Sequence, residues 1–320
     1  SSSCASLAGV FVGMERNCRD VRVANRIDGS PWVIRVIEYQ GDAPGSSTAI
    51  LGGMYGDKPM SCLAVHQIDR LLRNKAELSG SVILVPAANP PALEVGNRIN
   101  PDHLALNRRF PGNISGFLTD QIARALVGEV LVGVDCILDL HSGTPSMALW
   151  YTYDFGDLEL SSAFGYLPVI EGQHSPGQLG TVATERGVGL LLPEWGGATL
   201  TQFTAGVEGA MNILKFRGHL PGKSSGPKSV PLIRDRQLLL ASTHGALIST
   251  VEPSRVGGPI NKGTFAEIVN VTNGSTGEEF LVEEEQALLL MTVMTPTMVK
   301  PGDFVAMIGY QADTLEVPNS

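Results

Sequence analysis

Ile137-Leu138-Asp139-Leu140-His141-Ser142-Gly143 decides how the rest of this chain reads. The apolar run over residues 134–140 predicts a buried strand, and it ends in a histidine, a serine and a glycine. In an open α/β sheet, reactive groups and ligands collect beyond the carboxyl ends of the strands. A histidine at such a place is a metal ligand, a general base, or a core residue whose ring is satisfied. Its neighbours in sequence have to separate these readings.

Upstream, residues 47–51 read as a short apolar strand running into Gly52-Gly53. Pro59 suits the first position of a helix, predicted to about residue 74 with Leu63, Ile68, Leu71 and Leu72 as its apolar stripe. Residues 81–86 are the next buried strand, and strand–helix–strand at this spacing predicts parallel pairing through right-handed crossovers. Before it, residues 21–24 and 32–39 flank Asp28-Gly29-Ser30-Pro31, a hairpin signal. Residues 87–112 are rich in Asn, Pro and Arg and read as a long functional loop, followed by a helix over 119–132.

Downstream, strands are predicted at 147–152, 167–170 and 188–192, with helices at 158–164 and 199–216. The strand at 188–192 runs into Pro193-Glu194-Trp195-Gly196-Gly197. Residues 218–229 change to Gly, Pro, Ser and Lys, and past them only short β-rich runs alternate with turns. The expected organisation is an α/β domain over residues 1–222, with a mixed, largely parallel sheet of about eight strands flanked by helices, and a small all-β domain over residues 223–320.

With 43% hydrophobic and 17% charged residues over 320 positions, the chain can bury a full core. A net charge of -9 argues against nucleic acid as a partner, and no apolar run approaches the ~20 residues of a membrane span. Cys4, Cys18, Cys62 and Cys136 show neither metal spacing nor a disulfide framework. Together with the lack of a cationic start leading into an apolar run, this predicts a cytoplasmic protein.

Several pieces align with one family. Gly52-Gly53 with Gly56-Asp57, Asn89-Pro90 through Arg98, Leu106-Asn107-Arg108-Arg109-Phe110-Pro111-Gly112, Asp139-Leu140-His141-Ser142-Gly143 and Glu194-Trp195-Gly196-Gly197 follow in order. On these motifs the chain resembles the succinylglutamate desuccinylase/aspartoacylase family, a branch of the zinc carboxypeptidase superfamily. The resemblance implies a zinc-carboxypeptidase-like catalytic domain, a lipoyl-like C-terminal β domain, and hydrolysis of an amide. In that pattern zinc is held by His-x-x-Glu and a later His and activates water, with a glutamate as general base. Carried onto this sequence, His141 is the later ligand, Glu194 the general base, Arg98 the arginine that polarises the carbonyl, and Asn107 with Arg108 the clamp on a substrate carboxylate.

One element departs from the pattern. Where the family has Gly-Gly-x-His-Gly-Asp-Glu, this chain has Gly52-Gly53-Met54-Tyr55-Gly56-Asp57-Lys58. A neutral phenol is a poor ligand, and an ammonium has no lone pair to give and repels the ion. Only His141 survives of the family's three ligands, so no cofactor is expected, with zinc held by substitute ligands as the alternative. Zinc with one carboxylate ligand carries about +1, and so does a lysine. Lys58 therefore suits the metal's electrostatic role at a carbonyl or oxyanion, with Tyr55 beside it as a proton donor.

The reading that results is an enzyme acting on a small carboxylate-bearing substrate, an N-acyl amino acid or a related carbonyl compound. Lys58 and Arg98 serve as electrophile, Glu194 or His141 as acid/base, and Asn107 with Arg108 as the clamp. Three alternatives stay open: a pseudoenzyme that binds a small carboxylate, a zinc deacylase, and a lyase or isomerase working by proton abstraction next to a carbonyl. The partner is a small molecule, with homo-oligomerisation left open. Tyr151 and Tyr153 share one face of their strand, and Trp195 either shields Glu194 or packs on the following helix.

Overall fold

The computed structural model describes residues 14–318 apart from residues 198 and 286. The chain begins with β1 (Met14–Asn25) and β2 (Pro31–Gly41), an antiparallel hairpin, followed by β3 (Ala43–Leu51). Then come α1 (Pro59–Leu72), β4 (Ser79–Val85), α2 (Pro90–Val95) and α3 (Leu118–Ala125), which runs on in one π turn over Leu126–Val130. The next group is β5 (Cys136–Asp139), β6 (His141–Ser142), β7 (Met147–Asp154), α4 (Leu158–Ala163) and β8 (Val169–Glu171). It is followed by α5 (Leu179–Glu185), β9 (Gly189–Gly196) and α6 (Leu200–Phe216). The rest is all strand: β10 (Ser229–Leu240), β11 (Gly245–Ser249), β12 (Pro259–Ile260), β13 (Gly263–Val269), β14 (Thr276–Val282), β15 (Ala287–Val293), β16 (Thr297–Val299) and β17 (Phe304–Glu316).

Among the described residues thirteen strands form one sheet in the order β1-β2-β4-β3-β5-β9-β7-β8-β10-β17-β15-β12, with β6 beside β9. Pairing is parallel at the centre, where β4, β3, β5 and β9 run together, and antiparallel at both flanks. The sheet is thus larger and more mixed than the expected eight largely parallel strands. The N-terminal hairpin extends one side. On the other, β10 pairs parallel with β8, and β15 pairs antiparallel with β7, so the chain beyond residue 222 continues the same sheet. Four further strands form a second sheet, β14-β13-β11-β16. Among the described residues no helix is long and apolar enough to cross a membrane.

Helices cover both faces of the central strands, because neighbouring residues on a strand point opposite ways. Ile50 and Leu138 pack with Ala64, Val65 and Ile68 of α1 and with Val207, Ala210 and Ile213 of α6. Leu51 and Ile137 pack on the other face with Ile122 of α3 and with Leu179 and Val182 of α5. Each such aliphatic side chain contributes about 1.5–3 kcal/mol on burial. The stripe expected for α1 is corrected at one position. Its buried face is Ser61, Ala64, Val65, Ile68 and Leu72, while Leu63 lies 60% exposed, one residue off that face. α6 starts where its sequence says it should: Thr199 accepts from the Gln202 N–H at 3.2 Å, and the Gln202 side chain accepts from the Thr199 N–H at 3.0 Å.

The long segment expected at residues 87–112 holds α2 and a short 3-10 turn, Leu106–Arg108. α5, like α2, is a helix that sequence reasoning does not find. Gly180, two threonines and its short length hide its periodicity.

Candidate active site

The carboxyl ends of neighbouring strands build the floor of the site. Leu51 of β3 stands beside Asp139 of β5, and His141 of β6 stands beside Glu194 of β9. The register alone therefore gathers the loop after β3, the Asp139–His141 pair and Glu194 at one edge of the sheet.

The loop that carries Tyr55 and Lys58 is fixed by close backbone approach. Gly53 has φ +68, a region that favours glycine. A Cβ on Gly56 would stand 1.8 Å from the Ala92 carbonyl oxygen, so α2 can approach only a glycine there. The Gly56 N–H donates to the Asn97 carbonyl at 3.0 Å, and the Asn89 amide donates to the Met54 carbonyl at 3.1 Å. Ser61 accepts from the Gly53 N–H at 3.0 Å and donates to the Lys58 carbonyl at 2.8 Å. The glycines and Asn89 of the quoted motifs thus serve to hold Tyr55 and Lys58 in place.

Lys58 occupies the N-cap of α1, with no side-chain capping bond. A helix N-terminus favours an oxygen acceptor or an anion, so a cation here breaks the local rule. The compensation comes from across the sheet. The Lys58 ammonium donates to Glu194 Oε2 at 2.6 Å, with the two side chains 7% and 13% exposed. Glu194 Oε1 faces His141 Nδ1 at 3.4 Å, and the far nitrogen of that ring, Nε2, meets Asp139 Oδ2 at 3.0 Å. Asp139 and His141 are both buried. Lys58, Glu194, His141 and Asp139 therefore form one chain in which basic and acidic side chains alternate.

This chain sets the protonation states. Burial alone would raise the Glu194 carboxyl, but the Lys58 ammonium, and then His141, outweigh it and bring the group down to about 2. Burial opposes the imidazolium of His141, yet Asp139 and then Glu194 raise its pKa above the ordinary value of 6.5. Nε2 of His141 is in hydrogen-bond contact with Asp139, Nδ1 makes no hydrogen bond, and the two carboxylates favour the protonated ring. Tyr55 packs edge-on against the His141 ring with centroids 5.3 Å apart. Burial raises its phenol despite Arg98 and Arg108, so it keeps its proton. The Arg98 guanidinium lies over the Tyr55 ring at 4.1 Å and donates to its oxygen at 3.3 Å.

A cavity of about 270 Å³ opens above this floor. Tyr55, Arg98, Asn107, Arg108, His141 and Glu194 all border it, so six of the seven residues singled out from sequence meet at one cavity. The seventh, Lys58, does not border it. Its ammonium is turned onto Glu194 because a buried carboxylate needs a counter-charge more than the cavity needs another cation. Asn107 is anchored by its oxygen, which accepts from the Leu179 N–H at 2.8 Å, leaving its amide nitrogen as the donor end. Arg108 donates to the Asn107 carbonyl at 2.5 Å.

The rest of the wall includes Tyr153, Phe155 and Leu192, the polar Gln173, Ser175 and Gln178, and Arg236 of β10. Arg236 is the functional candidate that sequence reasoning missed. The one signal was a charged break, Arg234-Asp235-Arg236, inside an apolar strand. Trp195 does not shield Glu194. One place along β9 it points to the opposite face, fully buried, where its ring lies so near Gly206 of α6 that a Cβ there would clash.

The residues at the floor do not fit a zinc ion. Among the described residues no cluster of three His, Cys, Asp or Glu side chains could hold a metal. The two nitrogens of His141 face carboxylates on opposite sides of the ring, and an ammonium already sits on Glu194 at hydrogen-bond distance.

Residues 44–204 match the model of the succinylglutamate desuccinylase/aspartoacylase catalytic domain, and the chain belongs to that family. A curated relative is the N-alpha-acetyl-L-2,4-diaminobutyric acid deacetylase of Halomonas elongata, 26% identical over 309 residues, covering 90% of this chain and 88% of that one. The fold matches that of the product-bound ectoine utilization protein of Ruegeria pomeroyi, with TM-score 0.79, 22% identity, and 93% of this chain and 95% of that chain covered. It also matches a succinylglutamate desuccinylase of Silicibacter sp. TM1040, with TM-score 0.78, 23% identity, and 93% and 95% covered.

Proposed function

We propose that this protein is an amide hydrolase acting on a small N-acyl compound that bears a carboxylate, and that it works without catalytic zinc. The observation that carries the reading is the Lys58–Glu194–His141–Asp139 chain at the floor of an arginine-bordered cavity. Membership of a deacylase family and a deacetylase relative support the reaction class.

Each residue has a defined task in this reading. Asn107 and Arg108 take the substrate carboxylate, since a guanidinium pairs with both of its oxygens. Arg98 and the Tyr55 hydroxyl face the scissile carbonyl and stabilise the oxyanion as water adds. Glu194 accepts the proton of that water, and the proton then passes to the leaving nitrogen, with His141 supporting the transfer. Lys58 acts at one remove. It keeps Glu194 ionised and supplies, as a fixed ammonium, the positive charge that the family pattern places in a metal. A carboxylate held at about 2 is a weak base, so turnover is expected to be slow.

The test is hydrolysis of a panel of N-acyl amino acids by the purified protein, with Glu194→Gln beside it. Turnover that falls at least about a hundredfold in Glu194→Gln supports the reading. No turnover of any amide, with carboxylate binding intact, would replace it by the binding-protein reading.

A further inference from the structure

A second cavity, of about 570 Å³, opens at the amino edge of the same central strands. Asp135 stands just before β5 and Gly189 begins β9, and both border it. The Gly189 N–H donates to the Asp135 carbonyl at 3.0 Å, which closes the edge there. The site already described lies at the opposite, carboxyl ends of these strands. α5 with its caps runs between the two: Gln178 and Gly180 border the first cavity, Thr184 and Arg186 the second. Phe155 borders both.

Four charged side chains line the second cavity: Arg186, Arg217, Asp135 and Asp157. Burial pushes the nearby Cys136 thiol up to about 11, Arg217 opposes the rise, and Asp157 and Asp135 add to it. Charges from three of the four thus converge on one buried group. Yet among the described residues no ion pair joins any of them. Arg217 Nε is buried without an acceptor, a costly state for a donor on a charged group. Asp135 Oδ2 accepts from the Ser47 N–H at 2.8 Å, and Asp157 Oδ1 accepts from the Leu160 N–H at 2.9 Å at the cap of α4. The other oxygen of each carboxylate has no partner among the described residues. Two unpaired cations and two half-used carboxylates around one space suit a ligand that carries both signs of charge. Phe155, Leu160 and Leu190 give that space an apolar wall.

We propose that this cavity is a second, non-catalytic binding site for a free α-amino acid with an apolar side chain. The ligand carboxylate pairs with Arg217 and Arg186, and the donors of its ammonium meet Asp135 and Asp157. Its side chain lies on Phe155, Leu160 and Leu190. An N-acyl amino acid has a neutral amide in place of the ammonium, so it leaves both carboxylates without a counter-charge. The site therefore separates a free amino acid from its acylated form. A free amino acid is what hydrolysis of an N-acyl amino acid releases, and only this link to the reaction rests on the function proposed above.

Calorimetric binding of L-leucine, N-acetyl-L-leucine and L-leucinamide tests this in Arg108→Met protein, where the carboxylate clamp of the first cavity is gone. Arg217→Met, Arg186→Met and Asp157→Asn are then added one at a time, with circular dichroism as the check on folding. Arg186 is exposed, and asparagine keeps a capping oxygen on α4, so two of the three leave the fold in place. L-leucine is expected to bind at least about tenfold tighter than either single-charge analogue. Its affinity falls at least about tenfold in Arg217→Met and falls also in Arg186→Met. In Asp157→Asn its advantage over N-acetyl-L-leucine shrinks while its advantage over L-leucinamide stays. No binding of L-leucine, equal binding of N-acetyl-L-leucine, or binding that ignores both arginine substitutions overturns the proposal, even if amides are hydrolysed. Arginine-dependent binding of L-leucine without any hydrolysis upholds the site and removes the hydrolase reading instead.

Discussion

Lys58 and Glu194 meet at 2.6 Å across the carboxyl edge of the sheet, one from the cap of α1 and the other from the end of β9. Each is the wrong residue for its place taken alone: a cation at a helix N-terminus, and a carboxylate among buried side chains. Together they make a neutral pair. Removing one partner strands the other, so Lys58→Met is expected to cost about 3–5 kcal/mol. Denaturant unfolding of Lys58→Met, Glu194→Leu and the double variant checks this. The double variant should be more stable than Lys58→Met alone, and simple additivity of the two losses would argue against the pair.

The pH dependence of stability follows from the same chain. Glu194 is brought down from 4.5 to about 2, so its contribution is complete above pH 4.5 and is lost as pH falls through 2. His141 is raised above 6.5, so its contribution is complete below pH 6.5 and is lost as pH rises through its folded value. Between pH 4.5 and 6.5 both are present in full. The Tm difference between wild type and Glu194→Gln should be level across that window and shrink toward pH 2. A difference that stays constant from pH 5 to pH 2 would contradict the assignment.

Arg108→Met should raise KM about tenfold to a hundredfold, the loss of a charge-assisted hydrogen bond. The effect on kcat should be smaller, because the clamp touches the carboxylate rather than the reacting carbonyl. Steady-state kinetics separates the two. Equal losses in kcat and kcat/KM would place Arg108 at the reacting centre instead.

Gly56→Ala should destabilise the protein by roughly 1–3 kcal/mol, because a Cβ would stand 1.8 Å from the Ala92 carbonyl oxygen and α2 would have to shift. The same shift moves Tyr55 and Lys58, so activity should fall with stability. Thermal unfolding and turnover of Gly56→Ala read both, and unchanged values would show that α2 yields without strain.

The central strands, α1, α6 and most of the cavity were legible in the sequence because each leaves a local mark. Apolar runs ended in Gly52-Gly53, His141 or Glu194, and Pro59 and Thr199 announced helices. Strand partners leave no such mark. The β-rich runs past residue 229 say that strands form there, not that β10 and β15 join β8 and β7, so the extent of the sheet stayed hidden. Arg236 was hidden for the same reason, since only that pairing carries it to the cavity. Tyr55 and Lys58 can be read as departures from a ligand pattern, and a Lys58–Glu194 pair is one of the readings the sequence offers. Choosing it over a Lys58 that faces the substrate takes the geometry, because Glu194 is 136 positions away in sequence.

Amide hydrolysis after exhaustive chelation, with zinc content measured on the same sample, decides whether the Lys58–Glu194 pair stands in for a metal. Turnover should persist unchanged in metal-free protein and be lost in Glu194→Gln. Turnover that disappears with the zinc and returns on adding it back would mean that the metal is required.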